Sequence, residues 1–199
     1  MLRFSTDNLL RAAIACAMLA LATPAGAAVQ SDGTGGATYV PPPPPAKRAK
    51  IVSGVAVPPA GAPMRVRRAI EAANRIVTKP YVYGGGHKPY EIGVSAARLA
   101  LDRGYDCSGT ISFALYGGRF LRSPLDSSSF MSWGRRGKGR WITVYTNPGH
   151  AYVVIAGLRL DTSGGDRMAP EERRSGRGPR WRKYSRKPAG FTARHPANY

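Results

Sequence analysis

Three residues of this chain, Cys107, His150 and Asp161, have the side chains that nucleophilic catalysis needs. Cys107 stands in Gly104-Tyr105-Asp106-Cys107-Ser108-Gly109, ahead of the apolar run Thr110-Ile111-Ser112-Phe113-Ala114-Leu115. A turn residue, a capping Asp and then a helical pattern place the thiol in the first turn of a helix, with Asp106 as N-cap. Unpaired N–H groups at a helix start favour negative charge, so a thiol there ionises readily, and the thiolate is the nucleophile. The same pattern also suits an inert, buried cysteine. His150 opens the nearly all-apolar stretch Ala151 to Ala156, which reads as a strand buried on both faces. A titratable ring at that edge requires a partner. One option is a hydrogen-bonded loop. The other is the thiol, for which the ring serves as base, cation and proton donor to a leaving amine. An antiparallel reversal near Ile155 to Gly157 sets Asp161, or a neighbour, opposite His150, where a carboxylate holds the imidazole tautomer. Asp161 fits equally well as the start of a turn through Thr162-Ser163-Gly164.

The elements that must position these residues begin well into the chain of 199 residues. Arg3 and Arg11, the apolar core from Ala12 to Ala22 and the small residues Ala25-Gly26-Ala27 read as an export signal over residues 1–27, cleaved after Ala27. The apolar core is too short to span a bilayer, which takes about 20 residues, so no stable membrane insertion is expected after its removal. Ala13-Ile14-Ala15-Cys16 faintly resembles a lipoprotein acylation box, but the apolar run continues past it. There are two cysteines, and loss of the signal leaves Cys107 alone, without an intramolecular disulfide partner. Residues 28–63 read as a Pro- and Gly-rich disordered linker with a stiff segment at Pro41 to Pro45.

A domain is expected over residues 64–199. Val66, Ile70, Ala73 and Val77 recur at helical spacing, and Lys79-Pro80 ends that helix. Tyr81-Val82-Tyr83-Gly84-Gly85-Gly86-His87 is a loop whose glycines allow close backbone approach, with no Gly-Lys-Ser/Thr for a phosphate site. His87 has the ring of a ligand or a base, although a lone loop histidine is more often just solvated. Val94 to Leu101 suggests a second short helix, and Ser127 to Trp133 another with a Ser cap. Trp141 to Tyr145 alternates as a strand, Thr146-Asn147-Pro148-Gly149 is a turn, and Leu158 to Asp161 starts a further strand. Residues 166–199 carry ten Lys and Arg against three Asp and Glu. Within them, residues 166–178 read as an exposed basic loop, and Trp181, Tyr184 and Phe191 return the chain to the core.

Pro80-Tyr81-Val82-Tyr83-Gly84-Gly85, Tyr105-Asp106-Cys107-Ser108-Gly109 and Gly149-His150 before a hydrophobic strand together resemble the NlpC-type cell-wall peptidases. The resemblance covers about residues 64–165 and implies a papain-like α+β fold, with the cysteine at a helix N-terminus packed on an antiparallel sheet that bears the histidine. It implies Cys107 as nucleophile, His150 as general base and acid, and Asp161 as third residue. Tyr81 would line the cleft, and Asp106 and Ser108 would recognise the free amino end of a stem peptide. The implied reaction is hydrolysis of D-γ-glutamyl-diamino acid bonds in peptidoglycan, without metal or cofactor. Asp161 stands where the family most often has His, Tyr83 where it often has Trp, and Gly139 to Tyr145 replaces its usual strand before the histidine. The chain therefore reads as a divergent subfamily.

A net charge of +19 implies an anionic partner. With an export signal that partner is an envelope polymer rather than nucleic acid, and the protein is expected to be monomeric and periplasmic or secreted. Two alternatives stay open at this level. One is a cationic envelope-binding protein without catalysis, using residues 119–140 and 166–199. The other is an amidase or acyl transferase of the same fold.

Overall fold

The computed structural model describes residues 48–163, 178–183 and 185–199. The export signal, residues 28–47 of the expected linker, residues 166–177 of the basic loop and Tyr184 lie outside the described residues. The fold is α+β, with helices packed on an antiparallel sheet.

The described chain opens with a hairpin, β1 (Lys50–Val52) and β2 (Val55–Val57), in antiparallel register. The linker expected to reach residue 63 therefore ends earlier. Ser53 and Gly54 both take positive φ, 48° and 81°, as a two-residue hairpin turn requires. Ala49, Ala56 and Ala62 are buried in the core, so small apolar residues within a Pro-rich stretch were enough to dock it. Asn74 holds the hairpin by pairing with both backbone groups of Ala56 at 2.9 Å.

Helix α1 (Met64–Asn74) buries Val66, Ala69, Ile70, Ala72 and Ala73, exposes Arg68 and Glu71, and lays the half-buried Arg65 over the Phe120 ring with its Nε donating to Gly118 O at 2.9 Å. Helix α2 (Cys107–Gly117) is buried from Ser108 through Leu115, and the hydroxyls of Thr110 and Ser112 within it donate to the carbonyls of Asp106 and Leu125. The two helices cross closely at Gly117, where any Cβ would collide with that of Ala72. The helix expected at Val94 to Leu101 does not form, and the segment makes turns instead. Its N–H groups at Val94, Arg98 and Leu99 bond to Glu91 and Ser95 carbonyls. The segment fully buries Ala96 and Leu99 and half-buries Val94 and Leu101, which leaves an isolated short helix little to hold it. A single turn of helix, α3 (Ser127–Phe130), is capped by Asp126 rather than by a serine.

The sheet comprises β3 (Arg135–Arg136), β4 (Ile142–Asn147), β5 (His150–Ile155), β6 (Leu158–Asp161), β7 (Arg180–Arg182) and β8 (Thr192–His195). Its order is β3-β8-β4-β5-β6-β7, with each neighbouring pair antiparallel. β4 and β5 lie at the centre and are buried on both faces, as their apolar sequences require. Ala156 and Gly157, both at positive φ, turn β5 directly into β6. The return of the chain after Pro179 is observed: Trp181 enters the core and its indole N–H donates to Asn74 Oδ1 at 2.7 Å. Among the described residues no helix is long and apolar enough to cross a membrane.

Candidate active site

Asp106 starts α2. Its backbone is extended (φ −84°, ψ −173°), and its carboxylate accepts the Gly109 N–H at 2.7 Å. Its carbonyl accepts the Thr110 N–H at 3.0 Å and the Thr110 hydroxyl at 2.6 Å. The next residue, Cys107, is thereby fixed in the first helical turn, partly exposed and free of any disulfide. The glycine loop presses against this turn. A Cβ on Gly109 would strike the Gly85 carbonyl, and one on Gly86 would lie 2.5 Å from the Tyr105 ring. Asp106 N–H donates to Gly85 O at 3.1 Å, and Gly84 N–H returns a bond to Asp106 Oδ2 at 3.0 Å.

The sheet supplies the second half. Asn147 Oδ1 accepts the N–H groups of Gly149 and His150 at 3.0 and 2.8 Å and so shapes the turn that delivers His150 to the head of β5. His150 Nε2 lies 3.0 Å from Asp161 Oδ1. The β5–β6 register pairs Val153 with Leu160. Continued by one residue, it sets Asp161 beside Tyr152, so His150 is its diagonal neighbour on the same face. The His150 ring and the Cys107 thiol lie close enough that each shifts the other's titration, the thiol downward and the imidazole upward. With Nε2 committed to Asp161, Nδ1 is the nitrogen that remains for sulfur. Cys107, His150 and Asp161 thus form one connected line across α2, β5 and β6.

Electrostatics follow from that line. Burial pushes the Cys107 thiol up, and the Asp106 charge adds to this. The His150 hydrogen bond, the Ala151 N–H and the His150 charge outweigh both, leaving the thiol below its ordinary value. Burial opposes charge on His150, but the bonds to Asp161 and Cys107 and the charges of both overcome it, pushing its pKa up to about 9. Both shifts favour thiolate with imidazolium at neutral pH.

The chain matches no known family model, no curated protein and no solved structure. What the site can do must therefore be argued from its own atoms.

Asp161 is fully buried and crowded by donors. Ser163 N–H reaches Oδ1 at 2.8 Å, and Arg186 and Arg159 approach Oδ2 at 3.5 and 3.6 Å. Arg186 also lies over the Phe191 ring at 5.3 Å and the Tyr152 ring at 5.8 Å. Phe191 in turn stands edge-on to His150 at 6.2 Å. A segment close to the C-terminus thus wraps the histidine and its carboxylate. The motif reading gave no hint of it, since Arg186 lies in a uniformly basic stretch. Phe191 was expected only to pack.

Tyr81 stands near the nucleophile and is 43% exposed. Burial raises its pKa first, and the charges of Cys107 and Asp106 add to it. Asp106 and Ser108 point instead toward a residue that sequence reasoning took for a solvated loop position. His87 Nε2 sits 3.0 Å from Asp106 Oδ1 and 3.2 Å from Ser108 Oγ. The triple glycine before it was the available signal, because a loop allowed to touch a helix start carries its next residue there too. Among the described residues no group of three or more His, Cys, Asp or Glu is arranged to hold a metal ion. A half-open hollow lined by Gly86, Tyr90, Leu99, Asp102 and Phe113 has neither Cys107 nor His150 in its walls.

Proposed function

We propose that this protein is an exported cysteine peptidase of NlpC type, with a papain-like domain that hydrolyses amide bonds in peptidoglycan stem peptides. The observation that carries the reading is the connected line Cys107–His150–Asp161, with the thiol lowered and the imidazole raised. The thiolate attacks the scissile carbonyl carbon. The tetrahedral oxyanion that forms needs fixed donors, and the Cys107 N–H, at a helix start without an intrahelical partner, is well placed to be one. His150 then protonates the leaving amine as the C–N bond breaks and a thioester remains. Neutral His150 next takes a proton from water, whose oxygen attacks the thioester and frees the thiol and the carboxylic acid.

The basic surface holds the enzyme on anionic wall polymers, in the role a separate binding module would fill. The D-γ-glutamyl-diamino acid bond is the substrate that the resemblance of the motifs favours, with Tyr81 on the cleft wall and Asp106 and Ser108 shaping the substrate side. Digestion of purified sacculi followed by mass spectrometry of the fragments tests this reading. Wild type releases cleaved stem peptides, and Cys107→Ala loses about 10⁴- to 10⁶-fold in rate. Retained hydrolysis in the alanine variant overturns the mechanism. Binding to sacculi that washes off in moderate salt, with no fragments from wild type, favours a non-catalytic envelope protein. A new amide or ester product favours an acyl transferase.

A further inference from the structure

We infer that His87 reads the substrate: its ring, clamped at Nε2 by Asp106 and Ser108, the two chain neighbours of Cys107, keeps Nδ1 for a carboxylate of the peptide being cleaved. This inference deepens the hydrolase reading above and rests on it.

Both carboxylate oxygens of Asp106 are already engaged. Oδ1 accepts from Gly109 N–H at 2.7 Å, from His87 at 3.0 Å and from the Ser108 hydroxyl at 3.2 Å, while Oδ2 accepts from Gly84 N–H at 3.0 Å. The carboxylate side chain is only 10% exposed, and Ser108 is buried. Neither offers much to an incoming group. The loop N–H donors are engaged too: Gly85 bonds to Val82 O, and Gly86 to Asp102 Oδ2 at 2.9 Å. His87 is 26% exposed, and its Nδ1 makes no hydrogen bond among the described residues. It is the polar atom of this cluster left for a ligand.

The arrangement also excludes a second catalytic triad. Asp106 and Ser108 both meet the same nitrogen of His87. A ring that takes a serine proton at Nε2 while donating to its aspartate must use two nitrogens. His87 is therefore held by the pair and does not link them.

Charge decides which ligand it takes. Asp106 and Ser108 face the ring from the start of α2, Asp102 from the loop before it and Asp126 from the cap of α3. Lys88, next in the chain, pairs with Asp102 at 3.0 Å. The hydrogen bond to Asp106 raises the His87 pKa most, burial works against it, and the fields of Asp106, Asp126 and Asp102 add. The ring thus stays an imidazolium further into neutral pH than an ordinary histidine and is a donor at both nitrogens. A γ-linked glutamyl residue keeps its α-carboxylate free, which is the kind of anion such a donor takes up.

Two small alkylating probes test this without any substrate. Iodoacetate and iodoacetamide both modify Cys107, but only the first carries a carboxylate. The ratio of their rates on the full chain is expected to fall about threefold to tenfold in His87→Gln, the size of one screened charge at close range, and to hold in His87→Arg. In wild type the ratio falls in two steps as pH rises, the first with His87 and the second with His150 near pH 9. Only the second remains in either variant. An unchanged ratio in His87→Gln overturns the inference. Should that variant fail to fold, a first step that persists in His87→Arg overturns it equally.

Stem peptides with a γ-linked D-glutamyl α-carboxylate, against the α-amide, complete the test. Wild type is expected to prefer the carboxylate and His87→Gln to lose the preference. Preference for the amide, or the same preference in both proteins, overturns the inference while leaving the hydrolase intact. If neither peptide is cleaved but the probe ratio behaves as expected, the anion subsite stands and the hydrolase reading falls.

Discussion

Two histidines each hold Nε2 3.0 Å from an aspartate oxygen, His150 at the head of β5 and His87 at the start of α2. At His150 the aspartate takes one nitrogen, which leaves the other for sulfur. The aspartate is buried in a sheet and ringed by donors, so its position is set by the core. At His87 the aspartate and the serine share one nitrogen, and the other makes no hydrogen bond among the described residues. That aspartate is also a helix cap, so its position is set by the helix start. The same pair of residue types thus activates a nucleophile in one place and orients a charge in the other. Which nitrogen each partner meets decides the role, and residue type alone does not.

Substituting both histidines in turn makes the most direct attempt to break this contrast. His150→Gln removes base and acid together and is expected to lower peptide hydrolysis by about 10²- to 10⁴-fold. His87→Gln is expected to cost about tenfold at most, chiefly through KM, since it removes one substrate contact. Steady-state kinetics on a defined stem peptide measures both. Equal losses in kcat would show that both rings act on the reacting atoms.

The aspartates sharpen it next. The hydrolysis rate is expected to fall above about pH 9, where His150 loses the proton destined for the leaving amine. Asp161 raises that pKa through its hydrogen bond and charge. Asp161→Asn should therefore move the alkaline limb down, toward the ordinary histidine value, and lower the rate at pH 7 by about 10²-fold. Asp106→Asn should leave the limb in place. It keeps an oxygen for the Gly109 N–H but takes a negative charge from beside the thiol, so the acid limb moves down. A pH–rate profile of each variant distinguishes the two outcomes.

Two glycines test how far the second region depends on backbone approach. Gly109→Ala drives a methyl into the Gly85 carbonyl and is expected to destabilise the fold by about 1–3 kcal/mol. Gly93→Ala meets nothing within 4 Å, and only its positive φ of 79° opposes it, so about 1 kcal/mol is expected. Thermal melts of the two variants compare them, and a cost at Gly109 no larger than that at Gly93 would mean that the loop yields easily.

How legible these regions were in sequence follows from how local their causes are. The cap, the cysteine and α2 were legible because Asp106 and the apolar run that follows act within one turn. The His150 strand and its reversal into Asp161 were legible because Ala156-Gly157 is a two-residue turn, so strand pairing carried the register across. The helix expected at Val94 to Leu101 failed because a periodic pattern with little to bury is outweighed by turn bonds. The β1–β2 hairpin was hidden by prolines on either side, although Ser53-Gly54 was a turn signal. His87, Arg186 and Phe191 were not legible as site residues. Each reaches the site only through contacts made across distant parts of the chain, and no spacing rule encodes them.

The smallest effect is expected from Arg186. Its guanidinium lies 3.5 Å from Asp161 Oδ2, on the side of the carboxylate away from His150, and its side chain is 25% exposed. A partly solvated ion pair of that length is worth at most about 1 kcal/mol, so Arg186→Gln should lower hydrolysis by less than about fivefold. Its sign is more informative than its size. The cation competes with the imidazolium for one carboxylate, so its removal leaves more of the aspartate's field to His150. The alkaline limb should then move up, opposite to the shift expected from Asp161→Asn. A downward shift would mean that losing the guanidinium loosens Asp161 and weakens its bond to His150. Uncovering the ring by itself moves the limb up, because burial opposes the imidazolium. Phe191→Ala isolates that contribution, because it uncovers His150 without touching the charge balance: its limb should move up, and a downward limb would mean that water reaching the ring weakens its bond to Asp161.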